Sequence, residues 1–299
     1  MIYTVTVSPA LDYGMNVHSL KTGEINRSTE QTLKPGGKGI NVALMLKNLG
    51  VDSVVLGFIG GKIGALVNQL LIDSGLKSDL IEIAGETRIN VKISGETETA
   101  INGCGPIPTA KNLNELRTKM SRMTSSDILV LSGAVPVSIG SDIYLNLISS
   151  LQDPKPLIVI DTSGSTLIES LKVRPYLIKP NLEELEEVTR IKVSNESSLK
   201  QSLDSLRVYG ARNILVSLGS AGAVLSQEDG QMFYVQAPCG HPRSTVGAGD
   251  SLVAGFLAGL TGGRSFFESL KMGVAAGSAT AFSGTLASWI EIKSLLDKM

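Results

Sequence analysis

The sequence predicts an α/β protein in which a mostly parallel sheet carries helices on both faces. Short runs rich in β-branched residues alternate along the chain with segments whose apolar residues recur at helical spacing. Such alternation is typical of repeated βαβ units, which build parallel sheets. With 299 residues, 42% of them hydrophobic and 18% charged, the chain is long enough for one large domain or two smaller ones. No linker, repeat or low-complexity block divides it, so we expect a single domain over residues 1–299.

The alternation begins at the second residue and continues to about residue 218. The predicted strands are Ile2–Val7, Ser53–Ile59, Asp127–Leu131, Leu157–Asp161, Tyr176–Lys179 and Ile214–Leu218. The predicted helices are Ile40–Leu49, Ala65–Ser74, Leu113–Met123, Ser141–Leu151, Leu182–Thr189 and Ser197–Tyr209. The chain then becomes rich in Gly and Ala, which predicts a β meander over Ala223–Ala237 and two closely packed helices near Asp250–Leu260 and Phe267–Phe282.

Two segments interrupt this alternation. Leu11–Leu33 and Thr87–Asn102 are strand-like, and the second has polar residues such as Asn90 and Lys92 at alternate positions with no helix between its strands. We interpret them as a small β lid added to the main sheet, with strands contributed by about 11–33 and 87–103. The alternative is a pair of separate surface hairpins.

Composition disfavours several kinds of partner and chemistry. The formal net charge of -1 gives no basis for a nucleic-acid or membrane partner. Cys104 and Cys239 lack the spacing of a metal or disulfide site, and His18 and His241 are isolated, so zinc and histidine-triad chemistry are disfavoured. The chain starts as a strand without a basic leader, and no apolar run reaches the roughly 18 residues of a membrane span. We therefore expect a cytoplasmic protein.

The most informative motif is Thr245-Val246-Gly247-Ala248-Gly249-Asp250-Ser251, which precedes a small-residue apolar stretch. The two glycines allow the backbone to approach a ligand closely, at a helix N-terminus whose unpaired N–H groups attract anions. Asp250 falls in the first helical turn, where it is placed to take a proton from a hydroxyl that attacks a phosphoryl group held there. An ordinary glycine-rich helix start with an acidic first turn is the alternative, and this motif alone does not separate the two.

A second glycine-rich helix start spans Pro35–Ala43. Gly36 and Gly37 permit close backbone approach, Lys38 supplies a cation, and Asn41 lies about one turn further on the same face. This set suits a polyhydroxy ligand that carries a negative charge, and a simple turn with a solvated lysine is the alternative. The segment is not a Walker A loop, because glycine follows the lysine where Ser or Thr is required, and no GxGxxG follows the first strand.

Two further segments carry candidate ligand residues. Asn181 and Glu184 lie three residues apart at a predicted helix start, where they share a face and suit Mg²⁺ held through water. An ordinary N-cap followed by a solvated acidic face explains the same residues. The small residues at 217–222, Ser-Leu-Gly-Ser-Ala-Gly, follow a strand and are able to flank a nucleotide, although alone they indicate only a turn.

Together and in this order, these segments resemble the ribokinase-type (PfkB) family of sugar kinases. GGKGINVA at 36–43 and TVGAGDSLVAGF at 245–256 are similar to the two signatures of that family, and KPNLEE at 179–184 and SLGSAG at 217–222 lie between them. The resemblance covers essentially the whole chain. It implies a ribokinase-like three-layer sandwich with a mostly parallel central sheet, flanking helices and a small β-sheet lid that closes over the sugar.

The resemblance also implies roles for individual residues, with ATP as the donor. Asp250 would be the base that deprotonates the acceptor hydroxyl, and the backbone of Gly247, Ala248 and Gly249 would form the anion hole for the transferring phosphoryl group. Mg²⁺ would be held by Asn181 and Glu184. The nucleotide would contact Ser217, Leu218, Gly219, Ser220, Ala221, Gly222 and Gly249. The sugar would contact Asp12, Gly36, Gly37, Lys38 and Asn41.

Cationic residues of the expected lid bear on the identity of the acceptor. Arg88 and Arg27, with Lys38 opposite, suit a phosphate already present on the sugar, because arginine makes bidentate phosphate contacts; a solvated strand residue is the alternative for each arginine. TRINVK at 87–92, with Ile101-Asn102-Gly103, resembles the phosphofructokinase branch of the family, most closely its bacterial members that act on fructose 1-phosphate. The expected reaction is ATP plus fructose 1-phosphate giving fructose 1,6-bisphosphate and ADP.

Three alternatives to this reaction remain. Tagatose-6-phosphate kinase activity is the nearest, since it would use the same base and anion hole. A non-catalytic sugar-phosphate sensor is disfavoured by the intact loop at 247–250, and a nucleoside or neutral-sugar kinase is disfavoured by the two lid arginines. Ser8, Ala134 and Cys104 depart from the pattern of the branch, and Ala134 bears on the acceptor. The resemblance also implies a homodimer that forms through the lid.

Overall fold

Fourteen strands and ten α-helices make up the computed structural model, which describes all of residues 1–299. The strands are β1 Ile2–Thr6, β2 Ala10–Asn16, β3 Glu30–Gly36, β4 Ser53–Ile59, β5 Lys77–Ser78, β6 Ile81–Glu82, β7 Arg88–Ser94, β8 Thr99–Asn102, β9 Ile128–Ser132, β10 Leu157–Asp161, β11 Leu177–Ile178, β12 Asn213–Ser217, β13 Ala223–Ser226 and β14 Met232–Val235. The helices are α1 Lys38–Asn48, α2 Gly61–Asp73, α3 Ala110–Met120, α4 Ile143–Ser149, α5 Gly164–Leu171, α6 Leu182–Thr189, α7 Glu196–Val208, α8 Ala248–Thr261, α9 Phe266–Ser283 and α10 Trp289–Leu296.

The larger sheet has ten strands, in the order β14-β13-β12-β11-β10-β9-β1-β4-β5, with β6 also paired to β4. Strands from β12 to β5 run parallel, and the β13–β14 hairpin adds two antiparallel strands at one edge. Side chains alternate between two apolar layers: one of 29 buried residues that includes Val5 and Ile160, and one of 26 that includes Ile2 and Val159. Both faces are therefore covered, and the predicted parallel α/β sheet is confirmed.

The second sheet has four strands in the order β3-β2-β7-β8. Strand β2 pairs antiparallel with β3 and parallel with β7, and β7 pairs antiparallel with β8. The parallel pairing joins the two predicted segments into one small sheet, so the lid is confirmed over the alternative of separate hairpins. Asp12 lies opposite Lys34 on one side and Asn90 on the other, which puts polar residues of three strands on one face.

Several elements lie where the sequence patterns predict none. Helix α5 connects β10 and β11, and its buried face contains two polar residues, Thr166 and Ser170, which weaken the apolar period. Helix α10 follows α9, and the capping box formed by Ser288 and Glu291 is a sequence signal for its start. Strands β5 and β6 have two residues each, too few to show an alternating pattern.

Glycines let α8 and α9 pack in close contact. A methyl group at Gly255 would lie 2.7 Å from the carbonyl oxygen of Met272, and one at Gly259 would lie 2.7 Å from Cα of Ser269. Because backbone atoms cannot yield as flexible side-chain ends do, both positions require glycine. The predicted pair of closely packed helices is thereby confirmed. Neither these nor any other helix is long and apolar enough to cross a membrane.

Candidate active site

A cleft of about 1150 Å³ lies between the lid, the carboxyl ends of the parallel strands and the N-termini of α1 and α8. Open α/β sheets bind ligands at this edge, and the volume is large for a single small molecule. Most of the predicted site residues line it: Asp12, Gly37, Lys38, Asn41, Arg88, Asn181, Glu184, Ser217, Leu218, Gly219, Ser220, Gly222, Gly247, Ala248, Gly249 and Asp250. Arg27, Gly36 and Ala221 do not line it.

The start of α8 presents free amides to the cleft. Gly247, with φ of 78°, is the N-cap, and the helix begins at Ala248. The amide of Ala248 donates to the carbonyl oxygen of Thr245 at 3.2 Å, whereas the amides of Gly247, Gly249 and Asp250 have no hydrogen-bond partner. The helix N-terminus therefore offers unpaired donors, as an anion site requires. Of the three predicted anion-hole amides, that of Ala248 is already engaged in the turn.

Asp250 is a buried carboxylate, 6% exposed, in the first turn of α8. The side-chain amide of Asn41 donates to its Oδ2 at 2.7 Å. Burial, with a contribution from Asp161, raises the pKa of Asp250 to about 6, against the opposing influence of Asn41, Lys38 and Lys179. A carboxylate with a raised pKa at the wall of a cleft is suited to accept a proton.

Asp12 projects from β2 into the cleft and is held by two lid residues. Asn90 Nδ2 donates to its Oδ1 at 2.8 Å, and Lys92 Nζ donates to its Oδ2 at 2.9 Å. A side chain at Gly36 would collide with this carboxylate. Gly36 does not line the cleft itself but leaves room for the Asp12 carboxylate, and its expected contact with the sugar stays a prediction.

Arg88 ties the lid to the end of β1. Its Nε and Nη2 both donate to the carbonyl oxygen of Ser8, at 3.2 and 3.1 Å, and its Nη1 donates to Oδ1 of Asn90 at 3.1 Å. The guanidinium still lines the cleft, so a phosphate there would share or displace these neutral acceptors. Arg27 instead borders a smaller cavity with Met15 and Ile93, and the structure does not bring it to the cleft of its own chain.

Asn181 and Glu184 form a reciprocal capping box at the start of α6. Glu184 N donates to Oδ1 of Asn181 at 2.7 Å, and Asn181 N donates to Oε2 of Glu184 at 2.8 Å. Both residues also line the cleft, and Oε1 of Glu184 has no protein partner. The helix-capping role is thus present, and it leaves one carboxylate oxygen available to a ligand.

A tight turn after β12 holds the predicted nucleotide residues together. A 3₁₀ helix covers Gly219–Ala221, and Gly222 has φ of 103°. A side chain at Gly222 would collide with the carbonyl oxygen of Val235, so the position requires glycine. Ala221 is directed away from the cleft lining, and its carbonyl oxygen accepts a hydrogen bond from the hydroxyl of Tyr234.

The cleft contains an acid and a lysine that sequence reasoning missed. Asp161, the last residue of β10, is fully buried, and its Oδ1 accepts from Lys38 Nζ at 3.1 Å and from Lys179 Nζ at 3.3 Å. Burial alone would raise the pKa of Asp161, but the two ammonium groups hold it below its usual range. Burial also opposes the charge of Lys38, yet Asp161, Asp250 and Glu184 raise the pKa of Lys38 to about 12.

A sequence signal for Asp161 does exist. The residue closes an otherwise apolar predicted strand, Leu157–Asp161, at the edge where α/β sheets bind ligands. Other cleft residues absent from the predicted set carry weaker signals: Asn90, Lys92, Asn102, Ser132 and Lys179. Two of them, Asn90 and Lys92, fall on the alternate polar positions of the predicted lid.

Fold and site together define a lidded α/β phosphotransferase, in which a buried carboxylate lies beside free amides at a helix N-terminus. The chain belongs to the pfkB family of carbohydrate kinases, whose family model matches residues 3–291. The resemblance inferred from the two glycine-rich signatures is confirmed.

Three relatives illustrate the range of this similarity. The chain is 38% identical over 297 residues to 1-phosphofructokinase of Borreliella burgdorferi, covering 99% of this chain and 96% of the relative. It is 34% identical to D-tagatose-1-phosphate kinase of Bacillus licheniformis, with 95% and 93% covered. It is 32% identical to tagatose-6-phosphate kinase of Staphylococcus epidermidis, with 94% and 92% covered.

The fold is similar to that of a solved sugar-phosphate kinase. The crystal structure of phosphofructokinase-2 from Escherichia coli in complex with fructose-6-phosphate superposes with a TM-score of 0.93 at 27% identity, covering 99% of this chain and 98% of that one. The protein is therefore a carbohydrate kinase with the ribokinase-like fold, and ATP is the donor that this family implies.

Proposed function

We propose that this protein transfers the γ-phosphoryl group of ATP to the 6-hydroxyl of fructose 1-phosphate, giving fructose 1,6-bisphosphate and ADP. The observation that carries the proposal is the buried Asp250 carboxylate, hydrogen-bonded by Asn41 and lying beside unpaired amides at the start of α8. Membership of a carbohydrate kinase family supports the reaction class. Similarity to 1-phosphofructokinase over nearly the full length supports the acceptor.

The α8 N-terminus would perform the transfer. Asp250 accepts the proton of the 6-hydroxyl while the new O–P bond forms and the bond from the γ-phosphorus to the β,γ-bridging oxygen breaks. A pKa of about 6 leaves Asp250 ionised at neutral pH and basic enough to take that proton. The amides of Gly247 and Gly249 stabilise the charge on the moving phosphoryl group, aided by the positive end of the helix.

The lid end of the cleft would select the acceptor. Asp12, Arg88 and Lys92 line this end of the cleft. Asp12 would bind sugar hydroxyls, and Arg88 and Lys92 would bind the phosphate already present on the sugar. Two cations and one carboxylate leave this region with a net positive charge, which favours an anionic acceptor over a neutral sugar. Lys38 and Asn41 approach the same space from the start of α1.

The nucleotide side of the cleft suits Mg²⁺ held largely by water and phosphate. No group of three His, Cys, Asp or Glu side chains is arranged to hold a metal directly. Asn181 and Oε1 of Glu184 would bind water of the ion, consistent with the preference of Mg²⁺ for retained water. When bound, the ion would neutralise charge on the β- and γ-phosphates. The nucleotide itself would lie along Ser217, Leu218, Gly219, Ser220 and Gly222.

We further propose that two copies associate through the outer face of the lid. Leu33, Tyr13, Val91 and Ile101 form one row across all four lid strands, on the face opposite to Asp12. Leu33 is 46% exposed and Ile101 is 59% exposed. A second copy of this apolar face would remove both from water, as at homodimer interfaces.

A tagatose phosphate is the second candidate acceptor. Tagatose and fructose differ only in the configuration of one hydroxyl, and tagatose-phosphate kinases are 34% and 32% identical to this chain. Both reactions would use Asp250 and the same anion site. The difference would therefore lie among the side chains around Asp12 and Ala134 rather than at the start of α8.

An acceptor panel tests the proposal directly. With ATP and Mg²⁺, ADP release is measured for fructose 1-phosphate, fructose 6-phosphate, tagatose 1-phosphate, tagatose 6-phosphate, fructose and ribose, and the product is identified by ³¹P NMR. We expect the highest kcat/KM with fructose 1-phosphate and a bisphosphate product. A higher value with a tagatose phosphate supports the second candidate, and ADP release with none of them contradicts both.

A further inference from the structure

One buried acid takes no part in the proton transfer or in the proposed substrate contacts. Asp161 ends β10 beside Ser132 of β9, on the floor of the cleft. Its Oδ1 accepts from both Lys38 and Lys179, and its Oδ2 has no hydrogen-bond partner. Two ammonium groups are therefore the only polar groups that hold this fully buried carboxylate.

The two lysines that pair with Asp161 come from different segments of the chain and have different neighbours in the site. Lys179 is 4% exposed, and a methyl group at Gly249 would lie 3.5 Å from its Nζ, so this ammonium lies next to the anion-binding loop. Lys38 is the first residue of α1, less than one turn before Asn41, which binds Asp250. One cation thus adjoins the phosphoryl-binding loop and the other adjoins the base.

The charge of Asp161 allows both ammonium groups to lie close together in the cleft. Two ammonium groups that share one oxygen repel each other, and the repulsion is strong where little water screens it. A carboxylate between them offsets the repulsion and fixes the direction of each side chain. Cations fixed before the reaction stabilise developing charge without having to reorganise.

We propose that Asp161 is a positioning residue that holds Lys38 and Lys179 as a fixed pair of cations on the two sides of the transferring phosphoryl group. This role rests on the proposed kinase function and deepens it. In this role Asp161 contacts no substrate but contributes to stabilisation of the transition state through the two lysines. Loss of Asp161 should lower kcat more than it raises KM, because Asp12, Arg88 and the nucleotide-binding turn are unchanged and Lys38 keeps its charge.

The first test replaces the charge but not the shape, with Asp161→Asn. We expect kcat to fall about 100-fold, while KM for ATP and for the acceptor changes by less than about threefold. Equal losses in kcat and in both affinities would indicate general damage to the site and overturn the positioning role. An unchanged kcat would overturn it as well.

A matched control separates loss of stability from loss of positioning. Asp127 is also a buried acid of the large sheet, just before β9 at the opposite end from the cleft, and it accepts from the N-terminal ammonium at 3.0 Å. Asp127→Asn should lower the unfolding temperature and leave kcat within about twofold of wild type. A fall in kcat similar to that of Asp161→Asn would mean that kcat reports stability alone, and would overturn the proposal.

Lys179→Met keeps the test informative if Asp161→Asn does not fold. This variant leaves Asp161 paired with Lys38, so no buried charge is stranded. We expect kcat to fall at least tenfold with the acceptor KM little changed. In the double variant Asp161→Asn/Lys179→Met, kcat should lie within about threefold of the lower single variant, because a lysine that is no longer positioned contributes little. If kcat of the double variant falls by the product of the two single-variant factors, the two residues act independently and the proposal is overturned.

An independent measurement separates this proposal from the kinase assignment. Acylation of lysines by a small amine-reactive ester, mapped by mass spectrometry, should spare Lys179 in the wild type and label it several-fold faster in Asp161→Asn. Equal protection in both proteins would overturn the positioning role. Wild-type protein that shows this protection but phosphorylates no acceptor would contradict the proposed function instead.

Discussion

The side-chain amide of Asn41 donates a 2.7 Å hydrogen bond to Oδ2 of Asp250, and so joins the first turns of α1 and α8 across 209 positions of the chain. The bond fixes the orientation of the carboxylate and leaves Oδ1 without a protein partner. It also brings together the two glycine-rich helix starts that the sequence marks separately. The proposed base is therefore aimed by a residue from the acceptor side of the cleft.

Replacement of the proposed base should lower kcat strongly and leave binding of the acceptor nearly unchanged. For Asp250→Asn, which keeps the size of the side chain, we expect kcat to fall by about 10² to 10⁴-fold, because only the proton acceptor is lost. The acceptor dissociation constant, measured by calorimetry, should stay within about threefold of wild type. A parallel loss of acceptor binding and kcat would indicate a structural role for Asp250.

The same substitution should stabilise the protein at neutral pH. The pKa of Asp250 is raised mainly by burial, from 3.8 to about 6, so its stabilising contribution is complete below about pH 4 and is lost as pH rises through about 6. Asp250→Asn has no carboxylate to ionise. We therefore expect its free energy of unfolding to exceed that of the wild type by about 2 to 3 kcal/mol at pH 8, and the difference to disappear near pH 4. Urea unfolding at several pH values measures it.

Asp127→Asn provides a control of opposite sign for this pH dependence. Burial opposes ionisation of Asp127, but hydrogen bonds from Thr124 and the N-terminal ammonium lower its pKa overall. Its stabilising contribution is therefore present at neutral pH and lost on acidification, so the variant should be less stable than wild type at pH 8. A stability difference for Asp250→Asn that does not vary with pH would contradict the assignment of its pKa.

Arg88 should discriminate between phosphorylated and unphosphorylated acceptors. For Arg88→Ala we expect KM for fructose 1-phosphate to rise about 10- to 100-fold, because a charge-assisted contact is lost. The inhibition constant of fructose as a competing ligand should change much less. Since Arg88 also ties the lid to the Ser8 carbonyl, Arg88→Gln serves as a control that retains donors without charge. Equal effects of Arg88→Ala on both ligands would leave Arg88 with only the structural role.

The outer face of the lid should control oligomeric state. Ile101→Lys places a charge in the exposed apolar row, and we expect it to convert a dimer to a monomer in size-exclusion chromatography with light scattering. Ile72→Lys, on α2, is the control, because it changes an isoleucine that is 53% exposed outside the lid. A wild-type monomer, or a dimer that resists Ile101→Lys, would contradict association through this face.

Close packing of α8 on α9 should make Gly255 intolerant of even a methyl group. A Cβ there would lie 2.7 Å from the carbonyl oxygen of Met272, so we expect Gly255→Ala to lower the free energy of unfolding by about 1 to 3 kcal/mol. Thr261→Ala, at the exposed end of α8, should change it little. Scanning calorimetry measures the unfolding temperatures of the two variants, and equal values would contradict the close packing at Gly255.

Much of the fold was predictable because its signals are local. Runs such as Ile2–Val7 and Ser53–Ile59 indicate buried parallel strands, and each observed strand agrees with its predicted bounds to within a residue. The two glycine-rich helix starts also have a local signal, since glycine and a nearby acid or amide are visible in sequence order. The expectation of one domain over residues 1–299 stays a prediction, which a single unfolding transition would support.

The remaining features depend on contacts between distant segments. The parallel pairing of β2 with β7 joins residues about 78 positions apart, and it decides that Lys92 meets Asp12. Asp161 and Lys179 come together only because β10 and β11 are neighbours in the sheet. No local pattern indicates such pairings, so the ion pairs on the floor of the cleft could not be predicted, although the position of Asp161 at a strand end has a sequence signal.

Strand β3 of the lid runs through Gly37 directly into α1, whose first turn carries Asn41. The small sheet and the hydrogen-bond donor that aims Asp250 are thus one continuous piece of backbone. Any displacement of the lid would therefore act on the start of α1 and on the hydrogen bond that orients Asp250.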